Sequence, residues 1–248
     1  MRVGIFTSGL ENLSLLKILK QYNLEIVVYI NQDCWPLEDK SIDFQRKYVE
    51  EWIKFLLSKK VDKIILHPLW EIKFLKEDFI LPLYRNIIDQ TLKYSIVWKI
   101  GLFWNEIDLS EVKNFLENYV KTYHPTDRQK KNKKFWDFKF YTKDISVWKY
   151  NTVVLGKRNW MIRKLIKTDL RYFFDCNVDC ILPTTYDVYH FEHIINQKKK
   201  KLHFQRMKDW KFLEDLFWSP ENKYSLEVYT QGNTNLFLNN KKWQVFLK

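Results

Sequence analysis

The chain contains no alanine, and only 5 glycines, 6 prolines and 3 cysteines in its 248 residues. Cys34, Cys176 and Cys180 are odd in number and lack a framework spacing, which excludes a disulfide-stapled secreted fold and suits a reducing cytosol. No stretch approaches the roughly 18 consecutive apolar residues of a membrane span. Met1 to Phe6 runs directly into a strand pattern, with no basic region followed by an apolar run. No signal peptide and no membrane partner are therefore expected, and the expected location is the cytoplasm.

What is abundant excludes disorder. Hydrophobic residues make up 46% and aromatics 17% of the chain, enough for one large or two modest domains with proper cores. The residues in short supply have GC-rich codons, while Lys, Asn, Ile, Phe and Tyr abound, the mark of an AT-rich genome. This bears on the net charge of +12. A basic balance points to polyanionic partners. Drift toward Lys on solvated faces explains the same charge, and nucleic-acid binding is the less favoured reading.

Along the chain, Arg2 to Phe6 reads as a strand ending in the turn Thr7-Ser8-Gly9, and Asn12 to Tyr22 as a helix. Leu24 to Ile30 reads as a strand that runs into Asn31-Gln32-Asp33, ahead of Trp35-Pro36. A helix over Ser41 to Leu57 and a strand over Val61 to Leu66, stopped by His67-Pro68, complete a βαβαβ pattern on a parallel sheet. Ligands of such sheets bind at the carboxyl ends of the strands, which makes Thr7–Gly9, Asn31–Glu38 and His67–Trp70 candidate site loops. A second cycle follows: helix Glu71 to Leu92, strand Trp98 to Phe103 and helix Leu109 to Tyr123. The basic block Arg128 to Lys134 reads either as a phosphate-binding loop or, the favoured reading, as an exposed connection. Then come a strand over Phe138 to Tyr141, a helix over Asn159 to Phe174, and a strand over Val178 to Leu182. After these, helices are expected over Asp187 to Gln197, Met207 to Trp218 and Asn235 to Lys248, with a strand at Leu226 to Tyr229. No internal repeat is visible beyond this cycling. The expected domains are residues 1–95 with 206–248, and residues 96–205.

Six segments occur in an order that resembles one family. Val3-Gly4-Ile5-Phe6-Thr7-Ser8-Gly9, followed by Leu13-Ser14-Leu15-Leu16, is similar to the glutamate racemase opening IGVFDSGxGGLSVL. Pro36-Leu37-Glu38-Asp39-Lys40-Ser41 stands where that family has PYGxKS, and Val61 to Pro68 where it has a strand ending in ACNTA. Ile100-Gly101-Leu102-Phe103-Trp104 resembles IGVIG. Asp179 to Tyr186 stands where the family has DxxILGCTH, and Val228-Tyr229-Thr230-Gln231-Gly232 with Phe237 where it has YxTGDxxxF. The resemblance to the aspartate/glutamate racemases implies a two-lobed α/β fold with mainly parallel sheets and a cleft between the lobes. It also implies a cofactor-free enzyme, often dimeric, in which one cysteine per lobe alternates as acid and base across the substrate α-carbon.

The departures fall on the chemistry. Thr7 replaces the family's Asp, Pro68 the first cysteine, Thr184 the second, and Tyr186 the helper His. Proline offers no proton, and an unaided hydroxyl is a very weak base. Ser8, Gly9, Lys40, Ser41 and Thr185 match the family, with Ser8, Gly9 and Thr185 as substrate-binding candidates. The candidates to rescue catalysis are Cys34, in the second site loop, and His67, next to the lost cysteine position. Each also has a bland reading, a small buried hydrophobe for Cys34 and a hydrogen-bonded strand end for His67. His190, His193 and His203 lie on a Lys-rich stretch and carry no metal expectation, and Cys176 and Cys180 lack zinc spacing. Trp104, at a family Gly, either fills substrate space or marks a UGA codon read as Gly; a native-source peptide with Trp at 104 removes the second option. Trp136, Phe138, Phe140 and Tyr141 offer stacking faces for single-stranded nucleic acid, or one face of a core strand.

Three function classes follow. The first is a degenerate racemase homologue that binds a small amino or dicarboxylic acid or a partner protein. The second is an active glutamate or aspartate racemase supplying a D-amino acid for peptidoglycan. The third is a basic nucleic-acid-binding protein.

Overall fold

The computed structural model describes residues 1–7, 12–34, 37, 40–74, 76–104, 109–131, 137–144, 160–196, 202–206, 210, 212–217 and 224–232. The strands are β1 (Arg2–Thr7), β2 (Glu25–Asn31), β3 (Lys63–Ile65), β4 (Lys99–Trp104), β5 (Lys139–Asp144), β6 (Cys180–Pro183), β7 (His203–Phe204) and β8 (Ser225–Gln231). The α-helices are α1 (Leu13–Leu19), α2 (Ile42–Ser58), α3 (Pro68–Lys73), α4 (Leu83–Tyr94), α5 (Leu109–Tyr119), α6 (Asp127–Lys130), α7 (Trp160–Asp175), α8 (Glu192–Asn196) and α9 (Phe212–Phe217).

Every named strand pair is parallel. One sheet has the order β3-β1-β2-β8 and the other β5-β4-β6-β7. Parallel strands are covered on both faces, so they read as unbroken apolar runs. Val3, Ile5, Val27 and Val28 of the first sheet and Ile100, Leu102, Ile181 and Leu182 of the second are all buried. The chain divides into two compact units, Met1–Leu83 with Lys211–Lys248 and Tyr84–Trp210, with α4 from Tyr84 onward in the second.

Local chemistry sets the element ends. Ser41 caps α2, its hydroxyl accepting from the Phe44 amide at 3.4 Å. The buried residues Val49, Trp52, Ile53 and Leu56 recur at the helical period and define the α2 face turned to the core. The single helix expected over Glu71 to Leu92 is two helices, α3 and α4. Pro82, just ahead of α4, has no amide hydrogen and disfavours helical geometry at Leu81. The connection instead runs beside β3, with Ile64 donating to the Phe79 carbonyl at 2.8 Å and Leu81 to the Ile64 carbonyl at 2.9 Å.

The front of the basic block is not a plain exposed connection. Thr126 and Gln129 form a capping box that starts α6. Gln129 is buried and donates to the carbonyls of Leu92 at 2.6 Å and Ser95 at 2.7 Å, fastening α6 to the end of α4. The helix expected from Asp187 is a 3-10 turn over Tyr186–Phe191 followed by α8. The helix expected over Asn235 to Lys248 lies outside the described residues.

Each sheet repeats the other's central pair. Arg2-Val3-Gly4-Ile5-Phe6 of β1 corresponds to Lys99-Ile100-Gly101-Leu102-Phe103 of β4. Val61-Asp62 ahead of β3 corresponds to Val178-Asp179 ahead of β6. The pairing register is shared too: Gly4 faces Ile64, and Gly101 faces Ile181. This internal repeat is hidden in the sequence because only the sheet register brings the matched residues into line.

Candidate functional site

In both sheets the connections from the central strand leave toward opposite sides. The order β3-β1-β2-β8 sends the chain one way to β2 and back across β1 to β3, and β5-β4-β6-β7 does the same around β4. Such switch points open a crevice at the carboxyl ends of the strands.

In the first unit, Thr7 ends β1 and is buried. Asn12, in the left-handed conformation at the start of α1, donates its side-chain amide to the Phe6 carbonyl at 3.1 Å and ties the helix back to the strand end. Ser8 and Gly9 lie outside the described residues. Pro68 is the first residue of α3, with His67 as its N-cap residue. That is a favourable use of proline, because the first helical amide has no intrahelical partner. Pro68, which the resemblance sets at the first cysteine position, therefore starts a helix. Glu71 of the same helix is wholly buried, a carboxyl that the strand and helix pattern did not single out.

Cys34 is buried in a 3-10 turn after β2, and the Tyr48 hydroxyl hydrogen-bonds its thiol. Burial pushes this thiol above its ordinary value, and the Tyr48 bond and Lys40 offset that only in part. Cys34 is thus a protonated thiol near neutral pH and a poor base. Nearby, Asn31 accepts from the Asp33 amide at 3.0 Å, and the Tyr29 hydroxyl donates to Gln231. Ser41 serves as the α2 cap described above.

In the second unit, β6 ends at Pro183 and delivers Thr184 and Thr185 into a tight buried turn. Thr184 is 0% exposed, and its hydroxyl oxygen has no hydrogen-bond partner. A buried hydroxyl without a protein partner costs about 1–3 kcal/mol unless water or a ligand meets it. Tyr186 starts the following 3-10 turn as one of the largest fully buried side chains.

The shared register refines the comparison between units. Counting from Ile64 and Ile181, His67 matches Thr184 and Pro68 matches Thr185. Neither numbering brings a cysteine to the described end of β3 or β6.

The other sequence-level candidates separate. Phe138 packs against Trp98 at 4.6 Å and Tyr123 at 5.7 Å, and Phe140 is buried, so these rings form a core strand face. Trp136 and the side chain of Trp104 lie outside the described residues. His203 stacks on Tyr94 at 4.2 Å, while His193 is exposed on α8.

Two parallel four-stranded sheets flanked by helices, each with a switch-point strand end, define a two-lobed α/β fold. No family model matches the sequence, and neither does any curated protein. Solved structures do match, glutamate racemases among them. The enzyme from Campylobacter jejuni shares 17% identity at a TM-score of 0.72, covering 100% of each chain. That from Francisella tularensis, solved with D-glutamate, shares 16% at 0.72 over 99% of this chain and 93% of the other. That from Bacillus anthracis shares 13% at 0.75 over 98% and 93%. The chain has the glutamate racemase fold.

Proposed function

We propose that this chain binds a small amino or dicarboxylic acid at its strand ends without racemising it. The carrying observation is the wholly buried, unbonded Thr184 hydroxyl in a fold shared with glutamate racemases. Inverting an α-carbon needs two groups near neutral pH, one to remove a proton and one to deliver it to the opposite face. Thr184 and Thr185 supply hydroxyls, Pro68 supplies nothing, and the Cys34 thiol is held protonated by burial. His67 alone leaves the opposite face of the α-carbon without a group to deliver a proton. The threonines remain suited to a carboxylate, whose oxygens accept from hydroxyls. The reading places the protein in the cytoplasm, where such acids are abundant.

The test has two parts. In D₂O, the α-proton signals of both enantiomers of glutamate and aspartate should persist, with no opposite enantiomer formed. A binding acid should raise the melting temperature, by about 2.7 kcal/mol of stabilisation at a hundredfold excess over Kd, and Thr184→Val should abolish that rise. Appearance of the opposite enantiomer would instead establish an active racemase, with peptidoglycan supply as its natural role. No shift with any of the four acids would sink the binding claim.

A further inference from the structure

The exposed face of α7 belongs to neither strand end. Its inner residues Ile166, Leu170 and Phe173 are wholly buried, yet Trp160 is 70%, Met161 54%, Leu165 37% and Tyr172 39% exposed. Met161, Leu165 and Tyr172 fall within about 40° of one another around the helix, given 3.6 residues per turn. Lys164, Lys167 and Arg171, all exposed, line one edge of this stripe, and Arg163 lies beyond them. The two carboxylates of α7 are already engaged, Asp169 with Lys143 at 3.5 Å and Asp175 with Arg171 at 4.0 Å.

We propose that this face docks on an anionic phospholipid surface. Met161 and Leu165 would enter the acyl boundary, and the cations would meet the headgroup phosphates. Trp160, about 120° around the helix from Tyr172 on the cationic edge of the stripe, and Tyr172 itself are exposed amphipathic rings of the kind that settle at headgroup level. Apolar insertion and a basic row are the two signals that together give stable peripheral attachment. A second copy of the chain fits poorly, since like cations would meet and the net charge is +12. Single-stranded nucleic acid fits less well, because the Trp160 and Tyr172 rings lie about 120° apart around the helix and offer no shared stacking face. The sequence expectation of no membrane partner rested on the absence of a span, and no described helix is long and apolar enough to cross. An interfacial face needs no such run.

Cosedimentation of the full chain tests this, with vesicles of phosphatidylcholine alone against equal parts phosphatidylcholine and phosphatidylglycerol. Binding should be at least tenfold tighter to the anionic vesicles, and should weaken about fivefold per cation removed and with added salt. Lys164→Glu with Lys167→Glu should abolish it. Met161→Ser with Leu165→Ser, which leaves the charge unchanged, should weaken it at least tenfold. Urea unfolding midpoints close to the parent's establish that both variants are folded. The proposal is overturned by no vesicle binding, by equal binding to neutral vesicles, or by binding that survives the serine variant. Retention on a single-stranded oligonucleotide without vesicle binding would assign the face to nucleic acid and overturn it equally.

Discussion

The strands β1 and β4 are near copies, each a basic residue, an aliphatic one, glycine, an aliphatic one and phenylalanine, and each is paired in the same register. What surrounds the copies differs. Asp62, ahead of β3, accepts one bond, from the Arg2 amide at 2.7 Å, on an exposed edge. Asp179, at the matching place ahead of β6, accepts from the amides of Ile96 at 2.5 Å and Val97 at 2.9 Å and the Ser95 hydroxyl at 2.9 Å. At the strand ends the first unit uses its position to start α3 with Pro68, whereas the second keeps two threonines in a buried turn. One frame has been turned toward structure in one lobe and toward polar contact in the other.

The largest effect should come from the aspartates. Asp179→Ala leaves two backbone amides without their charged acceptor and should cost about 3 kcal/mol. Asp62→Ala should cost about 1 kcal/mol or less, because water can replace its single bond. Urea unfolding of each variant measures both, and equal losses would break the claim that the second unit depends more on this anchor.

The two glycines come next. A Cβ on Gly101 would lie 2.7 Å from two atoms of the Phe173 ring, and that ring is fully buried edge-on to Phe103 at 5.1 Å. Gly101→Ala should therefore cost about 2–3 kcal/mol as overpacking. A Cβ on Gly4 meets Leu56 at 3.2–3.3 Å, a gap that a small rotation opens. Gly4→Ala also gains from a stiffer unfolded chain, so its net change should stay within about 1 kcal/mol. A Gly4→Ala loss as large as that of Gly101→Ala would mean that α2 is as rigidly seated as α7.

The alternation of strands and helices was legible because parallel strands buried on both faces leave apolar runs, and α2 leaves a clean helical stripe. The expected helix over Glu71 to Leu92 failed at Pro82, whose effect on Leu81 was outweighed by the apolar periodicity around it. The basic block is exposed at Arg128, Lys130 and Lys131, as its charges suggested, but it is not a plain connection. Its charges read as solvent-exposed, while Gln129 in their midst is the buried fastener, because a capping box depends on Thr126 and Gln129 rather than on the lysines. At the candidate site, the resemblance set Pro68 and Thr184 at the family's cysteine positions. It could not reveal that the Thr184 hydroxyl is unbonded or that Glu71 is buried, since burial of a polar group depends on what the fold packs around it.

The smallest effect is a pH dependence that again separates the units. Burial raises the Cys34 thiol in the first. In the second, burial raises Cys180 well above the ordinary 9.0, with the charge of Asp179 adding to it, and burial likewise raises Tyr189 well above 10.0. A group whose pKa is raised by folding holds its proton more tightly in the folded state. Its contribution to stability is complete below the unfolded value and is lost as pH climbs through the folded one. The melting temperature should therefore not fall on account of these groups up to about pH 9 and should decline above it. Most of that decline should belong to the second unit, so Cys180→Val should flatten the alkaline limb more than Cys34→Val does. Thermal melts from pH 8 to 10.5 in small steps decide the matter. If Cys34→Val flattened the limb more, the thiol at the end of β2 would be the more strongly shielded of the two, and the first unit would be the better sealed around its cysteine.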